Sequence, residues 1–314
     1  MIRRRHQPAK RRHYALLANR KAGAYNRRLV EKFVGVCHRQ GASYTVYEPD
    51  SAVNLLRQAE VAVGLRPANS NFPPPYERGG PVTALVACGG DGTFNLVARA
   101  ALKAGLPVGM IPMGHINNLA LSLYGSAGGE QAIRRILAGG IRKIDCATAA
   151  NLVFFGSLGL GFVPKLLEEL QGRSVPSLGL GWSQLASKAA AAVTPEAIIL
   201  KVDAFRFDCR PVILNVNLLP FTVGLPLSPA SVPDDGRAEV IFDQESNLGN
   251  ISAFTRLIFK RKYLYGDTVR LYRGQSITVQ PVKGRRLYLD GELIDMPADT
   301  LEVKVGPEKL QVLC

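Results

Sequence analysis

Residues 84–97 read Ala84-Leu85-Val86-Ala87-Cys88-Gly89-Gly90-Asp91-Gly92-Thr93-Phe94-Asn95-Leu96-Val97, an apolar run that stops at three glycines set around one aspartate. A short apolar run bounded by glycines predicts a strand buried on both faces, and Asn95 to Leu102 predicts a helix behind it. The glycines then sit at a helix N-terminus. There, unpaired N–H groups and the positive end of the helix dipole favour an anion, and the missing Cβ atoms let a phosphate approach the backbone. Gly89, Gly90, Asp91, Gly92 and Thr93 are therefore candidate phosphate-binding residues. Asp91 does not itself attract phosphate; a carboxylate beside a polyphosphate serves a magnesium ion, through water or by orienting neighbouring groups. Taken alone, the GGDG tetrapeptide reads equally well as a tight turn with an aspartate cap.

The chain has 314 residues, enough for two domains with a cleft between them. Its mean hydropathy is +0.06, and no uninterrupted apolar stretch reaches the roughly 18 residues of a transmembrane helix. Five cysteines (Cys37, Cys88, Cys146, Cys209 and Cys314) are scattered and odd in number, which argues against a disulfide framework and for a reducing, cytoplasmic setting. Of the four histidines three precede residue 40, so no zinc site is expected; any metal is expected to be magnesium on oxygen ligands. The net charge of +14 calls for an anionic partner. Basic residues cluster at Arg3 to Arg12, Arg256 to Lys262 and Lys283 to Arg286, without an RNA- or DNA-binding motif around them. That ranks peripheral contact with an anionic membrane surface ahead of nucleic acid, the alternative being a solubilising basic face.

From Tyr14 to about Gly140 short apolar runs alternate with longer helical ones, the pattern of a layered α/β domain. Tyr14 to Ala18 and Ser43 to Glu48 predict strands; Arg27 to Gln40 and Ala52 to Val63 predict helices. Residues 64–81, rich in Pro, Gly and Asn, predict a long loop, either a flap over the cleft or an inert insertion. Beyond residue 140 the texture changes to short runs rich in Val, Ile, Phe and Tyr, broken by one helical segment, Trp182 to Val193. Asn151 to Phe155, Ala197 to Val202, Ala204 to Phe207, Val212 to Asn217, Ala238 to Phe242, Thr268 to Tyr272, Ser276 to Pro281, Arg286 to Leu289 and Leu301 to Val305 predict strands of an all-β second domain. The expected division is a basic tail over 1–13, a nucleotide-binding α/β domain over 14–144 and a β-rich domain over 145–314, whose last strand can return to the first domain.

Three predicted strand ends fall on one edge. The first ends in Asn19-Arg20-Lys21-Ala22-Gly23, the third in GGDGT, and a fourth in Met113-Gly114-His115-Ile116-Asn117-Asn118-Leu119-Ala120. Loops leaving the C-terminal ends of parallel strands converge on a binding crevice, so three loops built from Gly, Asn and Lys can meet one nucleotide. In order and spacing this set resembles the diacylglycerol kinase catalytic-domain superfamily, which includes bacterial lipid kinases, sphingosine kinases and ceramide kinases. The resemblance covers nearly the whole chain. NAD kinases and phosphofructokinases share the GGDG element, so the ordered set carries the likeness rather than that piece.

The resemblance implies an α/β plus all-β fold. Its N-terminal domain is Rossmann-like with a parallel sheet, its C-terminal domain β-sandwich-like, and the active site lies in the interdomain cleft. It implies an ATP-dependent lipid kinase using Mg²⁺, with Asn19, Lys21, Gly23, Gly114 and Asn117 joining Gly89 to Thr93 around ATP. Asp290-Gly291-Glu292 looks like the family's late DGE motif, whose aspartate is proposed to deprotonate the lipid hydroxyl; from the residues alone, Asp290-Gly291 is equally a hairpin turn. Asp235-Gly236 looks like the family's DG element near its magnesium network, and Asp145 resembles an aspartate at the domain junction; the resemblance offers Asp235 and Asp145 as magnesium ligands, the alternative for Asp145 being an ion pair with Arg142 or Lys143. The partners on this reading are ATP, a lipid alcohol, an anionic membrane surface and a second copy in a homodimer, with no nucleic acid, and the location is cytoplasmic and peripheral to the membrane.

The fourth-strand loop departs from the family pattern. Where the family usually reads GTGNDFA, this chain reads Gly114-His115-Ile116-Asn117-Asn118-Leu119-Ala120, and Leu96 stands where the family often carries glutamate. A ring replaces a small hydroxyl, a β-branched residue replaces glycine, and an amide replaces a carboxylate. A degenerate lipid- or nucleotide-binding protein of the same fold is the rival reading. A lower-ranked one, NAD kinase, draws on Gly159-Leu160-Gly161-Phe162.

Overall fold

The computed structural model describes residues 12–68, 80–170, 180–244 and 250–314. The basic tail and the middle of the Pro-rich loop lie outside the described residues.

The first half builds β1 (His13–Ala18), α1 (Arg27–Gln40), β2 (Ser43–Tyr47), α2 (Ala52–Ala62), β3 (Ala84–Gly89), α3 (Asp91–Ala104), β4 (Val108–Pro112), α4 (Asn118–Tyr124) and α5 (Gly129–Ala138). Strands β2, β1, β3 and β4 pair in parallel in that order. Every residue of β1, β3 and β4 is buried because helices cover both faces. On one face Val30 and Phe33 of α1 and Ile133 and Ile136 of α5 pack on Leu16, Val86 and Ile111. On the other, Leu55 of α2 and Phe94, Val97 and Ala101 of α3 pack on Leu17, Leu85 and Met110. Helix α3 begins at Asp91 itself, four residues before the expected start, so the aspartate and Gly92 belong to its first turn.

The second half builds β5 (Ile141–Ala149), β6 (Leu152–Phe154), β7 (Ser157–Gly161), α6 (Phe162–Leu170), α7 (Leu180–Ala191), β8 (Ile198–Val202), β9 (Phe205–Cys209), β10 (Ile213–Asn217), β11 (Ala238–Asp243), α8 (Ile251–Phe259), β12 (Val269–Gly274), β13 (Ser276–Gln280), β14 (Arg286–Leu289), β15 (Glu292–Asp295) and β16 (Leu301–Leu313). An antiparallel sheet of order β12-β11-β10-β7-β14-β15 stands against the antiparallel extension of the first sheet, β16-β13-β8-β9 with β5 and β6. Leu158, Leu214, Val240 and Leu287 from one sheet meet Leu200, Ile277 and Val303 from the other in a single apolar core, the arrangement of a sandwich. The α/β part plus β part therefore matches the expected fold class.

Among the described residues three α-helices, not one, accompany these strands. Helices α6, α7 and α8 cover the outer face of the antiparallel sheet, where Phe162, Leu166, Trp182, Phe254 and Ile258 pack on Ile213, Ile241 and Tyr288. Pro164 in the α6 pattern reads as a breaker, yet it falls in the first turn, where the missing N–H is not needed. Strand β16 also runs eight residues past its expected end. It passes Gly306-Pro307 through a register shift, pairs antiparallel with β5 along its length, and reaches β4 in parallel at Val312 and Val108. The last strand thus joins the α/β sheet to the sandwich.

Candidate active site

The loops after β1, β3 and β4 leave the same end of the parallel sheet and are fastened to one another. Asn19 Nδ2 donates to Thr93 Oγ1 at 2.9 Å, and the Asn19 carboxamide oxygen accepts from Lys21 N at 3.0 Å. Ala24 N donates to Met113 O at 2.9 Å. Asn117, at φ +60°, closes its own loop by accepting from Gly114 N at 2.9 Å and donating to Gly114 O at 2.7 Å. Gly90 and Gly114 meet back to back: a Cβ on Gly114 would stand 2.6 Å from the Gly90 Cα, and one on Gly90 3.1 Å from the Gly114 Cα, so the closure requires glycine at 114 and is tight at 90.

The β14–β15 turn comes down on this assembly from the sandwich. Asp290 and Gly291 both have positive φ, +44° and +96°, in a two-residue hairpin between Leu289 and Glu292. The hairpin reading of this dipeptide thus holds for the backbone. The Glu292 carboxylate lies over Gly92: Oε1 would be 2.9 Å from a Cβ built there. Two connected cavities result. One, about 320 Å³, is lined by Asn19, Lys21, Gly23, Thr93, His115 and Glu292. The other, about 410 Å³, is lined by Asp91, Asn117 and His115 on one side and by Ile116, Leu167, Leu170 and Leu293 on the other. His115 belongs to both and covers Gly23, where an added Cβ would overlap its ring.

The carboxylates are not alike. Asp91 accepts from Asn118 N at 2.9 Å, Asn118 Nδ2 at 3.1 Å and Leu119 N at 3.0 Å, so it fastens the start of α4 to the start of α3. Burial pushes its carboxyl up to about 6 against the pull of those donors, with the nearby Asp290 charge adding to the rise. Asn118 is engaged on all sides, donating to Tyr288 OH at 2.9 Å and accepting from Gly224 N at 2.8 Å. Asp290 is buried among four donors: Asn95 Nδ2 at 2.9 Å and the N–H groups of Phe155, Gly156 and Ser157 at 2.7, 2.8 and 2.9 Å. Burial raises this carboxyl too, against those hydrogen bonds. Glu292 is exposed, and among the described residues no hydrogen bond or ion pair engages it.

Asp145 and Asp235 stand apart from both cavities. Asp145 is buried on β5, accepts from Gly236 N at 2.8 Å and pairs with Lys309 Nζ at 3.0 Å. Its ion pair is therefore with Lys309 across the β5–β16 ladder, not with Arg142 or Lys143, whose side chains are exposed one strand turn away. The Lys309 ammonium also donates to the Asp234 carbonyl. Asp235 is exposed and accepts a local bond from Arg237 N at 3.0 Å. Among the described residues no cluster of three His, Cys, Asp or Glu side chains could hold a metal ion. Among the described residues the carboxylates expected to bind magnesium thus do not fit it: Asp145 has its own cation, Asp235 is exposed and belongs to no such cluster, and Asp91 is held by three donors.

Two residues of this site escaped the sequence reading. Asn95 and Arg99 continue from Asp91 at intervals of four, a polar stripe on an otherwise apolar helix that was legible as one face turned toward the second half. Arg99 Nη2 donates to Val153 O at 3.2 Å, and the guanidinium lies in the field of Glu292 and Asp290.

Comparison with known proteins agrees with this architecture. Residues 13–149 match the model of the diacylglycerol kinase catalytic domain. A diacylglycerol kinase of Staphylococcus saprophyticus is 24% identical over 217 residues, 66% of this chain and 70% of that protein. An uncharacterized protein of Synechocystis is 24% identical over 242 residues, which are 73% of this chain but only 54% of that longer protein. The crystal structure of a diacylglycerol kinase from Bacillus anthracis superposes with a TM-score of 0.70 at 14% identity, covering 98% of both chains, and so shares the fold. Residues 13–149 thus match the diacylglycerol kinase catalytic-domain family, and the chain as a whole shares the fold of the Bacillus anthracis structure.

Proposed function

We propose that the chain is an ATP-dependent lipid kinase that transfers the γ-phosphate to the hydroxyl of a diacylglycerol-like lipid. The observation that supports this most is the closure of Gly90 on Gly114 beneath Glu292, which sets two glycine loops and one unengaged carboxylate around a single cleft. In this reading the phosphates lie against the N–H groups at the start of α3, with Lys21 and His115 supplying positive charge or donors from the first and fourth loops. The acceptor enters the neighbouring cavity along Leu167, Leu170, Ile116 and Leu293. Its hydroxyl oxygen attacks the γ-phosphorus, the bond to the β-phosphate oxygen breaks, and ADP leaves.

Glu292 is the group we assign to accept the hydroxyl proton, because its carboxylate has free acceptor sites. Asp290 is a positioning residue: its four donors engage both oxygens and fix the turn that presents Glu292. The site of reaction would be a membrane surface reached peripherally; among the described residues no helix is long and apolar enough to cross a membrane.

A non-transferring protein of the same fold is the second reading, favoured by the donors that already engage Asp91 and Asp290. Calorimetric titration with ATP, with and without Mg²⁺, followed by ATP consumption with a panel of lipid alcohols separates the two. Binding with lipid-dependent turnover supports the kinase; binding without turnover supports the second reading.

A further inference from the structure

The helical layer over the antiparallel sheet carries a surface that the cleft does not use. Helix α8 buries Ile251, Phe254, Thr255 and Ile258 against the sheet and turns Arg256, Phe259 and Lys260 outward. Arg261 and Lys262 follow, exposed, and lead into a 3₁₀ turn over Tyr263–Tyr265. Tyr265 is 83% exposed and Phe259 40%. Between Asn250 and Gly266 the sequence holds four basic residues and no acidic one.

The tip is held from beneath. Tyr263 stacks edge-on against Phe254 at 5.4 Å and its hydroxyl donates to Asp243 Oδ2 at 3.2 Å. Trp182 Nε1 on α7 donates to Thr255 Oγ1 at 3.0 Å. Anchoring of this kind leaves two aromatic rings and four cations exposed on a held platform. Exposed Phe and Tyr beside Lys and Arg suit the boundary of a bilayer, where the rings enter the headgroup layer and the cations meet lipid phosphates. A single-stranded polynucleotide would also match rings and cations, by base stacking and charge, so the choice of a bilayer rests on where this helical layer leads. The same helical layer reaches the cleft, since Leu167 and Leu170 of α6 wall the cavity beside Asp91.

We infer that Arg256, Phe259, Lys260, Lys262 and Tyr265 form a docking surface for an anionic lipid bilayer. The inference deepens the lipid-kinase reading, resting on it for why a bilayer should be approached, but it is tested without turnover. The full chain is sedimented with phosphatidylcholine vesicles with and without phosphatidylglycerol, as wild type, as Arg256→Glu/Lys260→Glu/Lys262→Glu, and as Tyr265→Ser. Wild type should bind only the anionic vesicles, the charge-reversed variant should bind them at least about tenfold more weakly, and Tyr265→Ser should bind several-fold more weakly while keeping the wild-type Tm. Phosphoryl transfer to a water-soluble short-chain diacylglycerol should be unchanged in all three. Vesicle binding that survives charge reversal overturns the surface, as does equal binding to a single-stranded oligonucleotide. If wild type docks but transfers no phosphate, the surface stands and the kinase reading fails.

Discussion

The side-chain amide of Asn118 donates to the carboxylate of Asp91 at 3.1 Å, so a donor stands where the family pattern carries a second carboxylate. The neutral amide thus removes one of the two charges that facing carboxylates would need a cation to offset, and adds a hydrogen bond to the other. Asn118→Asp sets like charges together in a buried place and removes the donor to Tyr288, and is expected to destabilise the protein by about 2–4 kcal/mol at neutral pH. Thermal melting with EDTA or MgCl₂ checks this. The wild-type Tm should be indifferent to both, and the variant should regain part of its loss with magnesium.

Asp91 also makes stability depend on pH. Its carboxyl is pushed up to about 6 from an ordinary value of 3.8, so the folded protein holds that proton more tightly than the unfolded chain does. The contribution is present below the unfolded value and is withdrawn as pH rises through about 6, an effect of about 3 kcal/mol. In urea unfolding, the stability of wild type minus that of Asp91→Asn should fall by roughly this amount between acid and neutral pH. A difference that stays flat contradicts the assignment.

The glycine contacts predict a contrast. A methyl at Gly114 meets backbone, the Gly90 Cα at 2.6 Å, whereas a methyl at Gly23 meets the His115 ring. Gly114→Ala is expected to cost about 1–3 kcal/mol and to lose ATP binding, because the two loops must part. Gly23→Ala is expected to cost less than about 1 kcal/mol, since the ring can swing away. Adding His115→Ala should then make Gly23→Ala silent, and chemical denaturation with ATP titration reads all three variants.

The DGE turn predicts a separation of roles. Asp290→Asn brings an amide against backbone N–H groups of Phe155, Gly156 and Ser157 and should cost about 2–4 kcal/mol of stability. Glu292→Gln should change stability by no more than about 0.5 kcal/mol while lowering turnover by about 10²-fold or more with ATP affinity retained. Wild-type turnover in Glu292→Gln removes it from the proton-accepting role.

Much of this site was legible in the chain because its parts are backbone devices. Glycines at 89, 90, 92 and 114 and the Asp-Gly turn at 290 announce close approach and positive φ, which side chains elsewhere cannot supply. What was illegible depends on contacts across long sequence separations. Lys309 neutralises Asp145 only because β16 lies beside β5, and the expected end of that strand at Val305 hid the pairing. Asp290 looked like a free base because its donors come from Asn95 and from residues 155–157, more than 130 positions away. Helices α6 and α8 were obscured by Pro164 and by short length, and appear only where a sheet face needs covering.

The most direct measurement is transfer of label from γ-labelled ATP to short-chain diacylglycerol by the purified chain, with Glu292→Gln alongside. Labelled lipid that forms with wild type and falls by about 10²-fold with the variant is the predicted result. ATP that binds without any lipid becoming labelled, across a panel of lipid alcohols, would contradict it.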